Sequence, residues 1–271
     1  MNILDHLKEK QVLVSDGAWG TYLVKKGMKS GECPELWCLE HPDDVRDIAR
    51  MFIHAGSDII MTNSFGGTRF KLEHFGLADR VGEINEAAAR LSREAADIRV
   101  HVMASVGPTG KILMMGEVSE DDVYTAYKEQ VVALERGGAD AVIVETMSAA
   151  DETCLAVRAI KENTSLAAIA SFSYDTKTAG GYRTMMGLTP AEAARRSIEA
   201  GADIIGSNCS LGTAEMAEVV DALKQAAPDH PVLAHPNAGR PVQHPDGSIE
   251  YPETPEIMAE SVPALIKAGA N

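Results

Sequence analysis

Seven short apolar runs, each turning polar at its end and each parted from the next by a longer segment, constrain this chain more than any other feature. They are QVLVSDG (11–17), DIIMTNSFG (58–66), VHVMASVGP (100–108), DAVIVETMS (140–148), LAAIASFSY (166–174), DIIGSNCS (203–210) and PVLAHPNAG (231–239). Alternation of β-branched runs with helical-period segments builds βα units around a parallel sheet. In a barrel of such units the C-terminal strand ends face the mouth where substrate sits, so the polar ends are where chemistry is expected. The stretch ADIIGSNCSLG (202–212) is the sharpest case, delivering Ser207, Asn208, Cys209 and Ser210 just before a helix-like segment.

The segments between the runs read as one-sided helices. Val45, Ile48, Ala49 and Phe52 make one apolar stripe, Ile84, Ala88, Leu91 and Ala95 a second, and Val123, Tyr127, Val131 and Leu134 a third. Ser119 with Asp122, and Thr189 with Pro190 and Glu192, carry N-terminal capping patterns that predict helices over 119–137 and 189–200. A weak repeat, HAGSDII (54–60), RGGADAV (136–142), EAGADII (199–205) and KAGAN (267–271), places a helix-closing glycine before the second, fourth and sixth runs. By the same logic KAGAN introduces an eighth strand. A barrel without that strand leaves unpaired edges on strands one and seven, so the chain is expected to be incomplete at its C-terminus.

A chain of 271 residues with 45% hydrophobic content can bury one large core, and a single barrel domain over residues 1–271 is expected. The net charge of −15 leaves no basic surface for phosphates, which argues against nucleic acid and anionic membranes and for a small molecule or a protein partner. Cys33, Cys38, Cys154 and Cys209 show no framework spacing. A reducing cytoplasm is expected, with no signal peptide and no membrane-spanning run.

Collected from the strand ends, DGAWGT (16–21), TNSFGGTR (62–69), GPTGK (107–111), ETMSAADE (145–152), SNCSLG (207–212) and HPNAGRP (235–241) resemble, in order and spacing, the zinc-dependent homocysteine S-methyltransferase family. The GPTG and PNAG turns are most similar to the homocysteine-binding domain of cobalamin-dependent methionine synthase. The resemblance implies an α/β fold, a (βα)8 TIM barrel whose eighth strand is absent from the sequence at hand. It implies zinc held by three thiolates, of which Cys209 matches the one after strand six. The other two belong to a GGCC motif after strand eight and are expected beyond Asn271. Coordination turns a thiol into a thiolate outright, and three protein ligands leave the fourth position for the substrate sulfur.

The activity implied is methyl transfer to the thiol of homocysteine, giving methionine. Its expected donor is methylcobalamin on a separate corrinoid protein or domain, because nothing in the chain resembles a cobalamin- or folate-binding module. Alternatives are a corrinoid-pathway, sulfonium or betaine methyltransferase with another thiol acceptor, and a binding subunit without zinc.

Around Cys209, Glu145 is expected to bind the substrate amino group, and Asp16 with the backbone of Gly17 and Ala18 its amino-acid end. Asn208 and Asn237 are assigned to substrate polar groups or to the surroundings of the zinc, and Thr62 and Asn63, with Ser64, to the same pocket. Each has a plainer alternative: Glu145 as a helix cap, Asn237 as a turn residue before Gly239, Cys209 as a small buried hydrophobe. His235 is read as a non-ligand, Cys33 and Cys38 as ordinary thiols, Met114, Met115, Met185 and Met186 as packing or loop residues, and Trp19, bulkier than the side chain the family usually carries there, as a change to the floor of the pocket.

Overall fold

The computed structural model describes residues 2–244 and 249–271. The chain begins with helices α1 (Ile3–Lys10), α2 (Trp19–Lys25), α3 (Trp37–Glu40) and α4 (Pro42–His54), then strand β1 (Ile59–Met61), α5 (Arg69–Leu72), α6 (Val81–Ala95), β2 (His101–Val106), α7 (Glu120–Arg136) and β3 (Ala141–Met147). Next come α8 (Ala150–Asn163), β4 (Ala167–Phe172), the hairpin strands β5 (Thr176–Thr178) and β6 (Gly181–Arg183), α9 (Pro190–Glu199) and β7 (Ile204–Asn208). The chain finishes with α10 (Thr213–Ala226), β8 (Val232–His235), the short pair β9 (Val242–Gln243) and β10 (Ile249–Glu250), and α11 (Pro255–Ala268). The main sheet has six strands in the order β1-β2-β3-β4-β7-β8. Contacts group the chain into two compact units, Met1–Val144 with Leu155–Ala168, and Glu145–Cys154 with Ile169–Asn271.

In the first unit β1, β2 and the start of β3 pair in parallel, Ile60 opposite Val102 and Ala104 opposite Val142. The expected stripes supply the cover: Val45, Ile48 and Ala49 of α4, Ile84, Ala88 and Leu91 of α6, and Val123, Tyr127, Val131 and Leu134 of α7 are all buried. Each large side chain among them contributes about 1.5–3 kcal/mol of burial. The Ser119–Asp122 capping box forms as its spacing requires, so α7 starts one residue later at Glu120.

The first apolar run departs from expectation, because its only strand pairing is a single parallel bridge between Ser15 and Ile59. A side chain substitutes for a neighbouring strand: the Asp58 carboxylate accepts the Val14 N–H at 2.9 Å and is held by Lys10 at 2.6 Å. Val14 stays 55% exposed.

In the second unit β4, β7 and β8 pair in parallel, Ser171 opposite Gly206, Gly206 opposite Leu233 and Asn208 opposite His235. Gly206 is required there, since a Cβ on it would lie 2.7 Å from the Leu233 carbonyl oxygen. Helix α10 buries Met216, Val219, Val220 and Leu223. Helix α9 opens on the Thr189–Glu192 capping box with Pro190 at its first turn.

Gly269 closes α11 in a left-handed conformation. The Asn271 N–H then donates to the Val232 carbonyl at 3.0 Å, and the Val232 N–H to the Asn271 side chain at 3.2 Å. An eighth parallel strand is not among the described residues. No described helix is long and apolar enough to cross a membrane.

Candidate functional site

In the second unit four strand ends, those of β3, β4, β7 and β8, place their polar residues around Cys209. The backbone leaves β7 in an unusual way. Cys209 and Ser210 both have φ of 60°, a left-handed conformation that residues with a Cβ adopt infrequently. Three contacts hold the turn: Cys209 N–H to the His235 carbonyl at 3.0 Å, Leu211 N–H to the Cys209 carbonyl at 2.6 Å, and Asn237 N–H to the Leu211 carbonyl at 2.9 Å. The Ser173 and Ser210 hydroxyls, 2.6 Å apart, add a fourth. The strained turn thus has fixed partners just after β4, at the end of β8 and just beyond it.

Asn208 is the hub of the cluster and is 1% exposed. Its Oδ1 accepts the Thr146 N–H at 2.9 Å and the Ser171 hydroxyl at 2.7 Å. Those two donors identify Oδ1 as the acceptor end and so fix which way the amide points. Nδ2 consequently donates to Thr146 Oγ1 at 2.8 Å and to the Cys209 sulfur at 3.2 Å.

Cys209 is half-buried, and its thiol is pushed up from the ordinary cysteine value by that burial, with the negative charge of Glu145 acting in the same direction. Hydrogen bonds from Asn208 and Thr146 pull it back in part. Glu145 is itself buried at the end of β3, so a cation brought beside it would be paired in a setting of reduced solvent. His235 is held neutral by burial, its imidazole pKa lowered to about 4. Asn237 is half-buried, and its carbonyl accepts the Gly239 N–H at 2.8 Å, the geometry of a turn residue.

Among the described residues no three His, Cys, Asp or Glu side chains come together as a metal site. Cys209 is one sulfur, and a tetrahedral thiolate centre needs more. The described residues alone therefore do not fit a zinc ion.

The remaining sequence candidates lie in the first unit. Asp16 is buried, and its Oδ2 accepts the Trp19 indole N–H at 2.7 Å and the Met61 N–H at 2.8 Å. Trp19, read from sequence as altering the pocket floor, is in this respect the partner of Asp16. Gly17 and Ala18 are exposed at the start of α2.

Thr62 and Asn63 are bound into the turn after β1. Thr62 Oγ1 lies 2.5 Å from the Ser64 hydroxyl and accepts the Ser105 N–H at 3.1 Å. Asn63 Nδ2 donates to the Pro34 carbonyl at 2.6 Å. Cys38 is buried against the Asn63 carbonyl at 3.4 Å, and Cys33 packs with Leu72, Val81 and Ile84, its thiol pKa raised to about 11 by burial and by Glu35. Neither is in a disulfide, nor is Cys154, whose thiol donates to the Arg196 carbonyl at 3.5 Å. The four singled-out methionines are exposed, Met114 and Met115 in a short 3-10 helix and Met185 and Met186 in a turn.

Sequence reasoning missed Thr146, Ser171 and Ser173. Their short side chains at the ends of apolar runs carry no signal of their own, although Thr146 stands in the ETMSAADE motif.

Comparison with known proteins is consistent with this geometry. The homocysteine S-methyltransferase family model matches residues 13–271. Methionine synthase of Mycobacterium tuberculosis is 32% identical over 280 residues, which cover 98% of this chain and 23% of that protein. The chain thus spans less than a quarter of the mycobacterial methionine synthases it matches. Betaine–homocysteine S-methyltransferase 1 of Sus scrofa is 30% identical over 264 residues, covering 93% of this chain and 92% of that protein. Among solved structures, the metallated homocysteine methyltransferase MmuM of Escherichia coli superposes with a TM-score of 0.78 at 20% identity, over 98% of this chain and 92% of that one.

Proposed function

Because the chain belongs to the homocysteine S-methyltransferase family, a family of S-methyltransferase enzymes, we propose that it transfers a methyl group to the thiol of homocysteine and gives methionine. The observation that carries this reading is the Cys209 sulfur, held just after β7 by the Asn208 amide, with the buried Glu145 carboxylate near enough for its charge to act on the thiol. Glu145 pairs the substrate ammonium group. The amide hub and the strained turn keep the sulfur in one orientation. In the transfer the homocysteine sulfur forms its bond to the methyl carbon as the bond to the donor breaks with its electron pair leaving on the donor, and the thiol proton is released.

Zinc belongs to this proposal only together with ligands additional to Cys209, because one sulfur does not make a tetrahedral thiolate site. Asp16, Gly17, Ala18, Thr62 and Asn63 are proposed as further substrate contacts and Asn237 as a neighbour of the sulfur site. Residues 1–271 are proposed to act as one barrel domain in the cytoplasm. The donor proposed first is methylcobalamin on a corrinoid protein or domain, which follows from the likeness to methionine synthase. A second reading, with betaine as donor, is favoured by one observation: the porcine betaine enzyme matches over 92% of its own length.

A donor panel decides between them. The full-length protein is incubated with homocysteine and, in turn, methylcobalamin, betaine or S-methylmethionine, and methionine is followed by mass spectrometry. Methionine formed with methylcobalamin alone supports the first reading and with betaine alone the second. None from any donor would contradict the proposal.

A further inference from the structure

Thr146 has φ of 59° in the structure. For a β-branched residue that is a genuine outlier, because its Cβ substituents crowd the backbone there, and such strain persists only where the surroundings hold it. Glycine would take the same backbone path without strain, so the side chain is what the position requires. Its atoms are fully engaged. The Thr146 N–H donates to Asn208 Oδ1 at 2.9 Å, and its Oγ1 accepts from Asn208 Nδ2 at 2.8 Å. Residue 146 thus grips both ends of one amide, and that amide points its remaining donor at the sulfur at 3.2 Å.

We propose that Thr146 is a positioning residue for the Cys209 sulfur: its left-handed backbone is held so that its N–H and hydroxyl lock the Asn208 amide and seat the sulfur against it. The inference rests on the reading that this sulfur is the working group of the site. It goes beyond that reading in assigning the role to a threonine that acts through the Asn208 amide.

Three substitutions separate the hydroxyl from the strain. Thr146→Ser keeps the hydroxyl, Thr146→Val keeps the shape and loses the hydroxyl, and Thr146→Gly relieves the strain and loses the hydroxyl. Two readouts are taken on the full-length protein: the rate of Cys209 alkylation by iodoacetamide, resolved from the other thiols by peptide mass spectrometry, and steady-state methyl transfer to homocysteine.

Thr146→Ser is expected to stay within about 3-fold of the parent in both. Thr146→Val and Thr146→Gly are each expected to change the alkylation rate by about 5-fold or more. They should also lower kcat by ~10–100-fold, as loss of an outer partner of a working ligand commonly does, with the KM for homocysteine little moved. Normal behaviour of Thr146→Val or Thr146→Gly would overturn the assignment, as would equal alkylation in all four proteins, whether they react or not. If the parent forms no methionine from homocysteine while the alkylation pattern holds, the positioning role stands and the homocysteine reading fails. Methionine formation with uniform alkylation overturns the positioning role and leaves the homocysteine reading in place.

Discussion

Truncation of the hub residue, Asn208→Ala, is expected to destabilise the second unit by an amount the structure sets. The change deletes four hydrogen bonds and leaves two donors behind, the Thr146 N–H and the Ser171 hydroxyl, whose bonds to Oδ1 are 2.9 and 2.7 Å. A buried donor without a partner costs about 1–3 kcal/mol. Ser171 is fully buried, whereas Thr146 is half-buried and open in part to water. The Ser171 hydroxyl can also rotate, so the lower part of that range applies to each. The sum is about 2–4 kcal/mol. Urea unfolding followed by circular dichroism reads this directly, because with a slope of about 3 kcal/mol per molar the midpoint should fall by about 1 M.

Asn208→Asp is the companion test. It preserves shape and Oδ1 but removes the donor facing sulfur and adds charge near Glu145, so it should lower the midpoint as well. A midpoint within about 0.2 M of the parent for Asn208→Ala would refute the view that this amide organises the strand ends.

Other outcomes follow from single contacts. Gly206→Ala would set a Cβ 2.7 Å from the Leu233 carbonyl oxygen, and should cost about 1–3 kcal/mol by overpacking, read as a lower thermal midpoint. Thr189→Ala removes the side chain that caps α9 and should cost about 1 kcal/mol in the same assay. For Asp140, burial raises the carboxyl, but hydrogen bonds from His101 and the Val102 N–H and the charge of Arg93 outweigh it and hold the group below its usual range. A depressed folded value means that this stabilisation is present above about pH 4 and lost as pH falls through the folded value. Asp140→Asn should therefore be less stable than the parent at pH 7, with the gap closing below pH 4 in paired urea titrations.

The parts of the fold that repeat with a period were legible before any coordinates. Six of the seven apolar runs became strands of one sheet, and the Ser119 and Thr189 capping boxes opened helices where their spacing put them. Cys209 was legible as a strand-end residue for the same reason. The first run failed because hydrophobicity alone does not guarantee a neighbour: Val14 gives its N–H to Asp58 and remains exposed. The β5–β6 hairpin was invisible because Thr176–Thr178 is polar and exposed, and its antiparallel register, Thr178 opposite Gly181, leaves only two residues in the loop.

In the site the sequence named residues by type, and the hydrogen bonds they make within the chain were not legible in it. Asp16 was read as holding the amino-acid end of substrate and Asn208 as serving substrate polar groups or the surroundings of the zinc; in the structure Asp16 accepts from Trp19 and Met61, and Asn208 accepts from Thr146 and Ser171 and donates to Thr146 and to the Cys209 sulfur. The left-handed turn at Cys209 and Ser210 had no glycine to announce it. Left-handed backbone at a residue with a Cβ is set by tertiary contacts, and those have no local signature.

The most direct test of the Cys209 assignment is the rate of methionine formation from homocysteine by the full-length protein and by Cys209→Ser, with the donor found active in the panel. Serine preserves the shape at that position, so folding should be unchanged, and methyl transfer is expected to fall by about three orders of magnitude or more. Methionine formed at the parent rate by a folded Cys209→Ser protein would contradict the assignment of this sulfur as the centre of the reaction.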